Sequence, residues 1–283
     1  MFSDIVKSIF KKIGLLLGLV VLLGVYAFFD YLSYKNHAVP LLMYHGVGTE
    51  DKKDWGDMLI TPQLFEQQLQ YLTERGYKIV SVEELSERFR TNKEVKQYVA
   101  LSFDDGYVNN YYHAFPLLKK YNATATFYVI KNAVGTDNYM DDKQLEELLK
   151  AGMKIGSHTM SHSNLTTLDE SLLQREIAGS KMLLGQRYED LVVESISYPN
   201  GAYNDVVIRE CLAAGYQEGV SGIVGVNTHD SYNEAPFEMY RVGVYDRGNG
   251  MESFARTLEK AYFTGYMREK GINVARIREF FRK

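Results

Sequence analysis

Five side chains in this sequence are of types that bind metal ions or move protons, and each follows a run that reads as a strand: His45, Asp104, Asp105, His158 and His162. The two aspartates come directly after Tyr98–Phe103, a β-branched, aromatic and aliphatic run without a charge, and are followed by Gly106. In a sheet built from βα units, the C-terminal edge of the strands is where ligands bind. Two carboxylates there can divide the labour, one holding a metal and the other taking a proton. Asp-Gly is equally a common turn dipeptide, so the pair alone does not decide between turn and active site.

His158 and His162 follow a predicted strand over 154–156, on the same edge as the aspartates. Their i, i+4 spacing places them on one side of a helical turn, and neutral imidazole is the commonest ligand of zinc and related metals. This is not the zinc-protease pattern, because Thr159 stands where its glutamate would be. Asp105, His158 and His162 as three ligands would leave positions open for water and substrate, which is the arrangement of a catalytic site. Asp104 would then be free to act as a general base.

The elements that must position these groups alternate strictly. Residues 39–44 read as a strand that delivers His45. Thr61-Pro62 reads as an N-cap and first helical position, with the helix ending at Gly76. A strand over 77–80 leads to Ser81, spaced from Glu84 as in a capping box. Further strands are expected over 124–130, 195–198, 218–221 and 240–244, and helices over 109–121, 142–151, 171–186, 205–214 and 251–262. This alternation predicts an α/β fold, a single parallel (β/α) barrel domain over 38–263. No repeat at solenoid periods is present.

Composition agrees with a packed domain: 46% hydrophobic and 24% charged residues in 283. The formal net charge is −4, and no basic surface for nucleic acid follows from it. A count of 22 tyrosines and 14 phenylalanines is compatible with a carbohydrate ligand but also with an aromatic core. Cys211, the sole cysteine, excludes an intramolecular disulfide and reads as a small buried hydrophobe.

Residues 13–29 are free of charge and just long enough to span a bilayer. Lys11 and Lys12 before the run orient residues 1–12 to the cytoplasm and everything after Asp30 outside. A cleaved signal peptide competes, but no small-x-small site ends the run. The expectation is an uncleaved anchor, a tether over 30–37 and an extracytoplasmic domain at the cell membrane. The tail 264–283 is basic and interleaved with apolar residues, suited to docking as a last helix or to an anionic surface.

Ser102-Phe103-Asp104-Asp105-Gly106 together with Ser157-His158-Thr159-Met160-Ser161-His162 resembles the paired signatures of the polysaccharide deacetylases, carbohydrate esterase family four, over roughly residues 39–245. The resemblance implies a distorted (β/α) barrel and metal-dependent removal of acetyl groups from sugars, most often N-acetylglucosamine residues of a polymer. It makes Asp104 the general base and Asp105, His158 and His162 the metal ligands, with zinc foremost and cobalt, nickel, manganese or iron as alternatives. Residues 196–201, Ile-Ser-Tyr-Pro-Asn-Gly, match the next motif, so Tyr198 and Pro199 would line the groove and the Asn200 backbone N–H would face the oxyanion.

Two departures stand out. Ser197 occupies a place where many members carry an arginine that steadies the base, and Arg241 is the candidate substitute, with a surface arginine as the competing reading. The late acid histidine has no counterpart beyond His229 in a polar loop. The opening Leu42-Met43-Tyr44-His45-Gly46-Val47, however, is similar to the circularly permuted poly-N-acetylglucosamine deacetylase branch, which makes His45 the acid. His37 and His113 read as structural. The resulting expectation is a monomeric, membrane-anchored N-deacetylase of an extracellular glycan, with an O-acetyl esterase or a catalytically silent glycan-binding protein as alternatives.

Overall fold

A computed structural model describes residues 2–50, 55–188 and 191–272. Phe2–His37 is one helix of 36 residues, and its stretch Phe10–His37 is long and apolar enough to cross a membrane. The expected tether over 30–37 is not a separate linker but the last two turns of that helix. Tyr34 is buried, Lys35 reaches Glu259 at 2.7 Å, and Asp30 accepts Lys270 and the Tyr266 hydroxyl, each at 2.8 Å. These three partners, Glu259, Tyr266 and Lys270, lie on or directly after the helix Gly250–Glu269. Gly265 permits the close crossing, because a Cβ there would stand 2.4 Å from the Tyr34 hydroxyl. The same contact explains why the last helix runs seven residues past its expected end at Tyr262: its final turns have a partner to lean on. The rest of the basic tail, from residue 273, lies outside the described residues.

Seven strands close a parallel barrel: β1 (Leu41–Tyr44), β5 (Tyr98–Phe103), β6 (Thr126–Val129), β7 (Lys154–Ser157), β8 (Ser195–Ser197), β9 (Glu218–Val224) and β10 (Met239–Gly243). The ring closes where β1 pairs with both β10 and β5. β4 (Lys78–Val80) lies outside the ring, on Tyr98–Ala100 of β5, while β6 takes the same edge higher up at Ser102 and Phe103. Two short strands, β2 (Gly46–Val47) and β3 (Leu59–Ile60), pair separately.

The alternation of strand side chains sorts them into two apolar clusters. Leu42, Leu101, Phe103, Phe127, Ile196 and Val242 face outward under the helices, while Leu41, Ala100, Tyr128, Val220 and Met239 face inward. Continuing the inward set toward the strand ends gives Met43, Asp104 and Arg241, so the period of two itself aims the polar residues into the barrel mouth. The helix Val82–Arg90 plugs the other end with Val82, Leu85 and Phe89. Its capping box forms by half: Ser81 Oγ accepts the Glu84 N–H, but the Glu84 carboxylate turns to Arg88 instead.

The plug also buries two carboxyls. Glu83 accepts the hydroxyls of Ser195 and Thr126 at 2.6 and 2.5 Å, and Glu218 keeps one oxygen without a partner. Burial, then the nearness of Glu83, raises the Glu218 carboxyl well above its ordinary range. A group raised in this way holds its proton only in the folded state once the pH passes its unfolded value of about 4.3, so stability falls as the pH climbs from there. Glu218→Gln is therefore expected to raise Tm at about pH 8 and leave it nearly unchanged at about pH 4. An equal shift at both, measured by thermal unfolding, would contradict the burial of an unsatisfied carboxyl.

Candidate active site

The mouth of the barrel at the C-terminal strand ends is a cavity of about 710 Å³ bordered by His45, Asp104, Asp105, His158, His162, Asn200 and Arg241. Residues far apart in sequence meet there because five barrel strands end on it.

The Asp-Gly pair is both a turn and part of the site. Asp104 continues the strand, its N–H donating to the Tyr44 carbonyl at 2.9 Å, and Asp105 and Gly106 then take φ of 74° and 82°. The left-handed conformation is costly for an aspartate and marks a backbone held by its surroundings. At Gly106 a side chain would be both strained by the left-handed φ and crowded, since a Cβ would lie 3.0 Å from Val129 Cγ1.

The two histidines are not on a helical turn. They belong to a loop after β7 in which Thr159 and His162 take φ of 66° and 62°. The loop is fixed by its own polar groups: Ser157 Oγ accepts the Thr159 N–H at 3.0 Å and Thr159 Oγ1 accepts the His162 N–H at 3.1 Å. Glu176 accepts both the Ser161 N–H, at 2.9 Å, and its hydroxyl, at 2.5 Å. The result is convergence without helical periodicity: His158 Nε2 and His162 Nε2 stand 3.4 and 3.5 Å from the same Asp105 oxygen.

These donors suit a divalent cation. One ligand atom from each of Asp105, His158 and His162 lies within 4.8 Å of the others. His158 Nδ1 lies 2.8 Å from the Ser197 carbonyl, which can only accept, so Nδ1 carries a proton. Burial would lower the ring, but the Asp104 and Asp105 carboxylates outweigh it and raise it, and a cation would take the Nε2 lone pair as the second proton leaves. Burial, then the neighbouring His158, lowers His162 and keeps its ring neutral near pH 7. Two imidazoles and a carboxylate favour zinc, cobalt, nickel or iron.

Asp104 is held differently from Asp105. Arg241 Nη1 donates to its Oδ1 at 2.8 Å and the Ser197 hydroxyl to its Oδ2 at 3.3 Å. Arg241 Nε is taken by the Ser221 carbonyl at 2.8 Å, so the guanidinium is buried and aimed, not on the surface. Burial by itself would raise the Asp104 carboxyl, but the charge of Arg241, with His158, outweighs it and holds the group well below the usual carboxylate range. Asp104 is thus ionised at every pH of interest.

His45 borders the same cavity, its ring 6.4 Å from that of Tyr245 at 28°, and its Nδ1 is buried without a partner. Asn110 fixes the backbone around it, donating to the His45 carbonyl at 2.6 Å and accepting the Val47 N–H at 2.9 Å. His229 is elsewhere: it begins the helix His229–Glu234, with Nε2 3.0 Å from the Lys93 carbonyl and its ring against Phe89. Asn200 borders the cavity with φ 57°. Of the two residues expected to line the groove, Tyr198 borders the cavity while Pro199 does not. Tyr198 is fully buried, donates to the Phe237 carbonyl at 3.0 Å and stacks on Tyr203, and Pro199 is buried too. Cys211 is buried, which pushes its thiol up to about 12 and leaves it no nucleophilic role.

Sequence reasoning missed Asn110 and Glu176. Each sits at a π-turn, Asn110–Ala114 and Arg175–Gly179, where one extra residue per turn swings a polar side chain toward the loop bearing a site histidine. Both lie in stretches whose apolar spacing reads as ordinary helix, so no local signal marks them.

Comparison with known proteins bears on this arrangement. The family model described as polysaccharide deacetylase matches residues 91–219, which contain Asp104, Asp105, His158, His162 and Asn200 but neither His45 nor Arg241. YxkH of Bacillus subtilis, which carries the polysaccharide deacetylase name, is 32% identical over 212 residues, 74% of this chain and 72% of its own. The poly-β-1,6-N-acetyl-D-glucosamine N-deacetylase of Staphylococcus epidermidis is 28% identical over 213 residues, 66% of this chain and 73% of its own. Among solved structures, the Streptococcus pyogenes deacetylase PplD in complex with acetate superposes with a TM-score of 0.71 at 28% identity, covering 78% of this chain and 97% of that one. The polysaccharide deacetylase BC0361 of Bacillus cereus gives 0.69 at 26%, covering 78% and 68%.

Glu176 touches no ligand atom, so its effect on the metal is indirect and separable. Glu176→Ala is expected to weaken divalent-ion affinity about tenfold, as loss of an outer-shell partner does, while Glu176→Gln retains most of it. Competition with a chromophoric chelator measures both; equal affinity in all three proteins would remove Glu176 from the account.

Proposed function

The chain belongs to the polysaccharide deacetylase family, and on that premise we propose that it is a metal-dependent N-deacetylase of an extracellular glycan. Its substrate would be the N-acetylglucosamine residues of a biofilm glucosamine polymer, peptidoglycan or a wall-polysaccharide linkage. The observation that carries this reading is the placement of an ionised Asp104 beside the Asp105, His158 and His162 cluster in one cavity, which an imidazole, His45, also borders. The N-acetyl assignment is supported by the Staphylococcus epidermidis relative, whose name specifies an N-deacetylase.

A divalent ion, zinc first among the candidates, held by Asp105, His158 and His162 would polarise the acetyl carbonyl and acidify a water. Asp104 takes the proton of the attacking water; its Oδ1 is occupied by Arg241, which leaves Oδ2, only loosely held by Ser197, as the accepting atom. The Asn200 N–H stabilises the charge developing on the carbonyl oxygen, a kind of contact worth about 3 to 4 kcal/mol when single donors are removed. His45 supplies a proton to the departing nitrogen, which an amide needs because its amine leaves poorly as an anion. Water is thereby divided between acetate and a free amino sugar.

The exposed apolar helix supports an anchored enzyme, with a single-pass segment and the barrel on the extracytoplasmic side. Roles as domains follow: residues 1–12 cytoplasmic, 13–29 spanning, 38–263 catalytic. The site is complete within one chain, so the enzyme is read as a monomer.

The direct test uses full-length protein stripped of metal, reconstituted with one divalent ion at a time and incubated with N-acetylglucosamine oligomers, peptidoglycan fragments and O-acetylated xylan. Acetate from an N-acetylated substrate, dependent on the ion, is expected; acetate from xylan alone would make the protein an esterase. Asp104→Asn should lose turnover and keep its metal, and His45→Ala should lose about 10²- to 10⁴-fold on an amide. In Arg241→Ala, burial no longer has an opposing charge, so the carboxyl rises and the acidic limb of kcat/KM moves up by about one pH unit or more. Arg241→Lys should hold the limb in place. A limb unmoved in both would show that Arg241 does not set the base.

A further inference from the structure

We propose that a second chamber, adjoining the catalytic cavity, binds the sugar residue next to the one being deacetylated, with Trp55 as its stacking platform; this rests on the deacetylase reading above. The chamber has a volume of about 500 Å³, and Met58, Tyr107 and Tyr139 border both it and the catalytic cavity, which places it one sugar residue's reach from the reacting centre. Trp55 meets Tyr107 edge to face at 4.5 Å and 67°, and Tyr107 stacks on Tyr139 at 5.2 Å and 28°.

This aromatic wall is built rigidly. Tyr107 and Tyr139 are bridged as antiparallel strands, the Val108 N–H donates to the Asn138 carbonyl at 2.9 Å and the Met140 N–H to the Gly106 carbonyl at 3.0 Å. Trp55 is seated over Gly46, where a Cβ would come within 2.7 Å of its ring, one residue after His45. The platform is therefore registered to the proton donor on one side and, through Gly106, to the metal-binding turn on the other.

The chemistry of the lining selects the occupant. Flat aromatic faces accept the apolar C–H face of a pyranose, and a few polar groups around them orient its hydroxyls. Glu50, Asn109 and Asn138 supply those groups. Asn109 is 4% exposed and donates to Glu50 at 3.0 Å, yet its Oδ1 has no partner. A buried acceptor left without a donor is uncommon, and a sugar hydroxyl or acetamide N–H is the donor that would complete it. A carboxylate in the lining, with no lysine or arginine among its described residues, disfavours phosphate-bearing ligands. The chamber thus suits a neutral or amino sugar linked to the residue in the catalytic cavity.

Trp55 is the sole tryptophan, so fluorescence of the full-length protein excited selectively at tryptophan, and not at its 22 tyrosines, reports on this chamber. The Asp104→Asn protein is titrated with N-acetylglucosamine and with its β-1,6-linked oligomers from dimer to hexamer, and acetate release is followed for the active protein and for Trp55→Ala and Trp55→Phe. The expected result is a fluorescence change with oligomers and not with the monomer. Trp55→Ala should lose about tenfold in kcat/KM on the pentamer and less on the dimer, with Trp55→Phe recovering most of it. Acetate release from oligomers with no fluorescence change, or an equal loss at every length, would overturn the subsite. A fluorescence response without acetate release would keep the subsite and sink the deacetylase reading; neither response would sink both.

Discussion

Arg241 and Asp104 meet inside the barrel with 2% and 4% of their side chains exposed, and most of the site follows from what keeps that pair there. Removing two charges from water costs several kcal/mol each, which their mutual attraction offsets only with good geometry and further hydrogen bonds. The barrel supplies such bonds with the Ser221 carbonyl on Arg241, the Ser197 hydroxyl on Asp104 and the Tyr44 carbonyl on the Asp104 backbone. Those partners come from or adjoin β1, β5, β8, β9 and β10, so the pair exists only when the ring is closed. In return the pair fixes the protonation state of a carboxylate beside a cluster able to hold a cation. Asp104 and Asp105 are adjacent in sequence and have opposite tasks because one faces a guanidinium and the other two imidazoles.

How far the sequence could be read follows from which features are local. The run Tyr98–Phe103 ending in two acids and a glycine shows its strand, its end and its chemistry at once, because composition and turn residues are local signals. The alternation of elements gave a parallel barrel, but not that seven strands close while β4 stays outside the ring, because strand pairing joins residues distant in sequence. His158 and His162 were legible by type and spacing, yet their geometry was misread, since left-handed Thr159 and His162 leave no periodic trace. Arg241 could be nominated but not chosen over a surface role: its partner is 137 residues away and only the ring brings them together. Asn110 and Glu176 were silent because a π-turn shares the apolar spacing of an ordinary helix.

The N-terminal helix and the barrel are packed together. The helix Phe2–His37 runs without a break into the fold and its last turns are clamped by Tyr34, Lys35 and Asp30 to the helix Gly250–Glu269. It then enters β1 at the strand's N-terminal end, opposite to the mouth bordered by Asp104 and His45. The apolar helix and the cavity therefore lie at opposite ends of β1.

The central claim is that Asp105, His158 and His162 hold a divalent ion beside Asp104. Anomalous diffraction at the zinc edge from crystals of the full-length protein grown with zinc tests it most directly. The account predicts one strong peak bounded by these three side chains, absent in His158→Ala crystals, with Asp104 paired to Arg241 in both. A peak elsewhere, or a zinc ligated by Asp104 in place of Asp105, would contradict it.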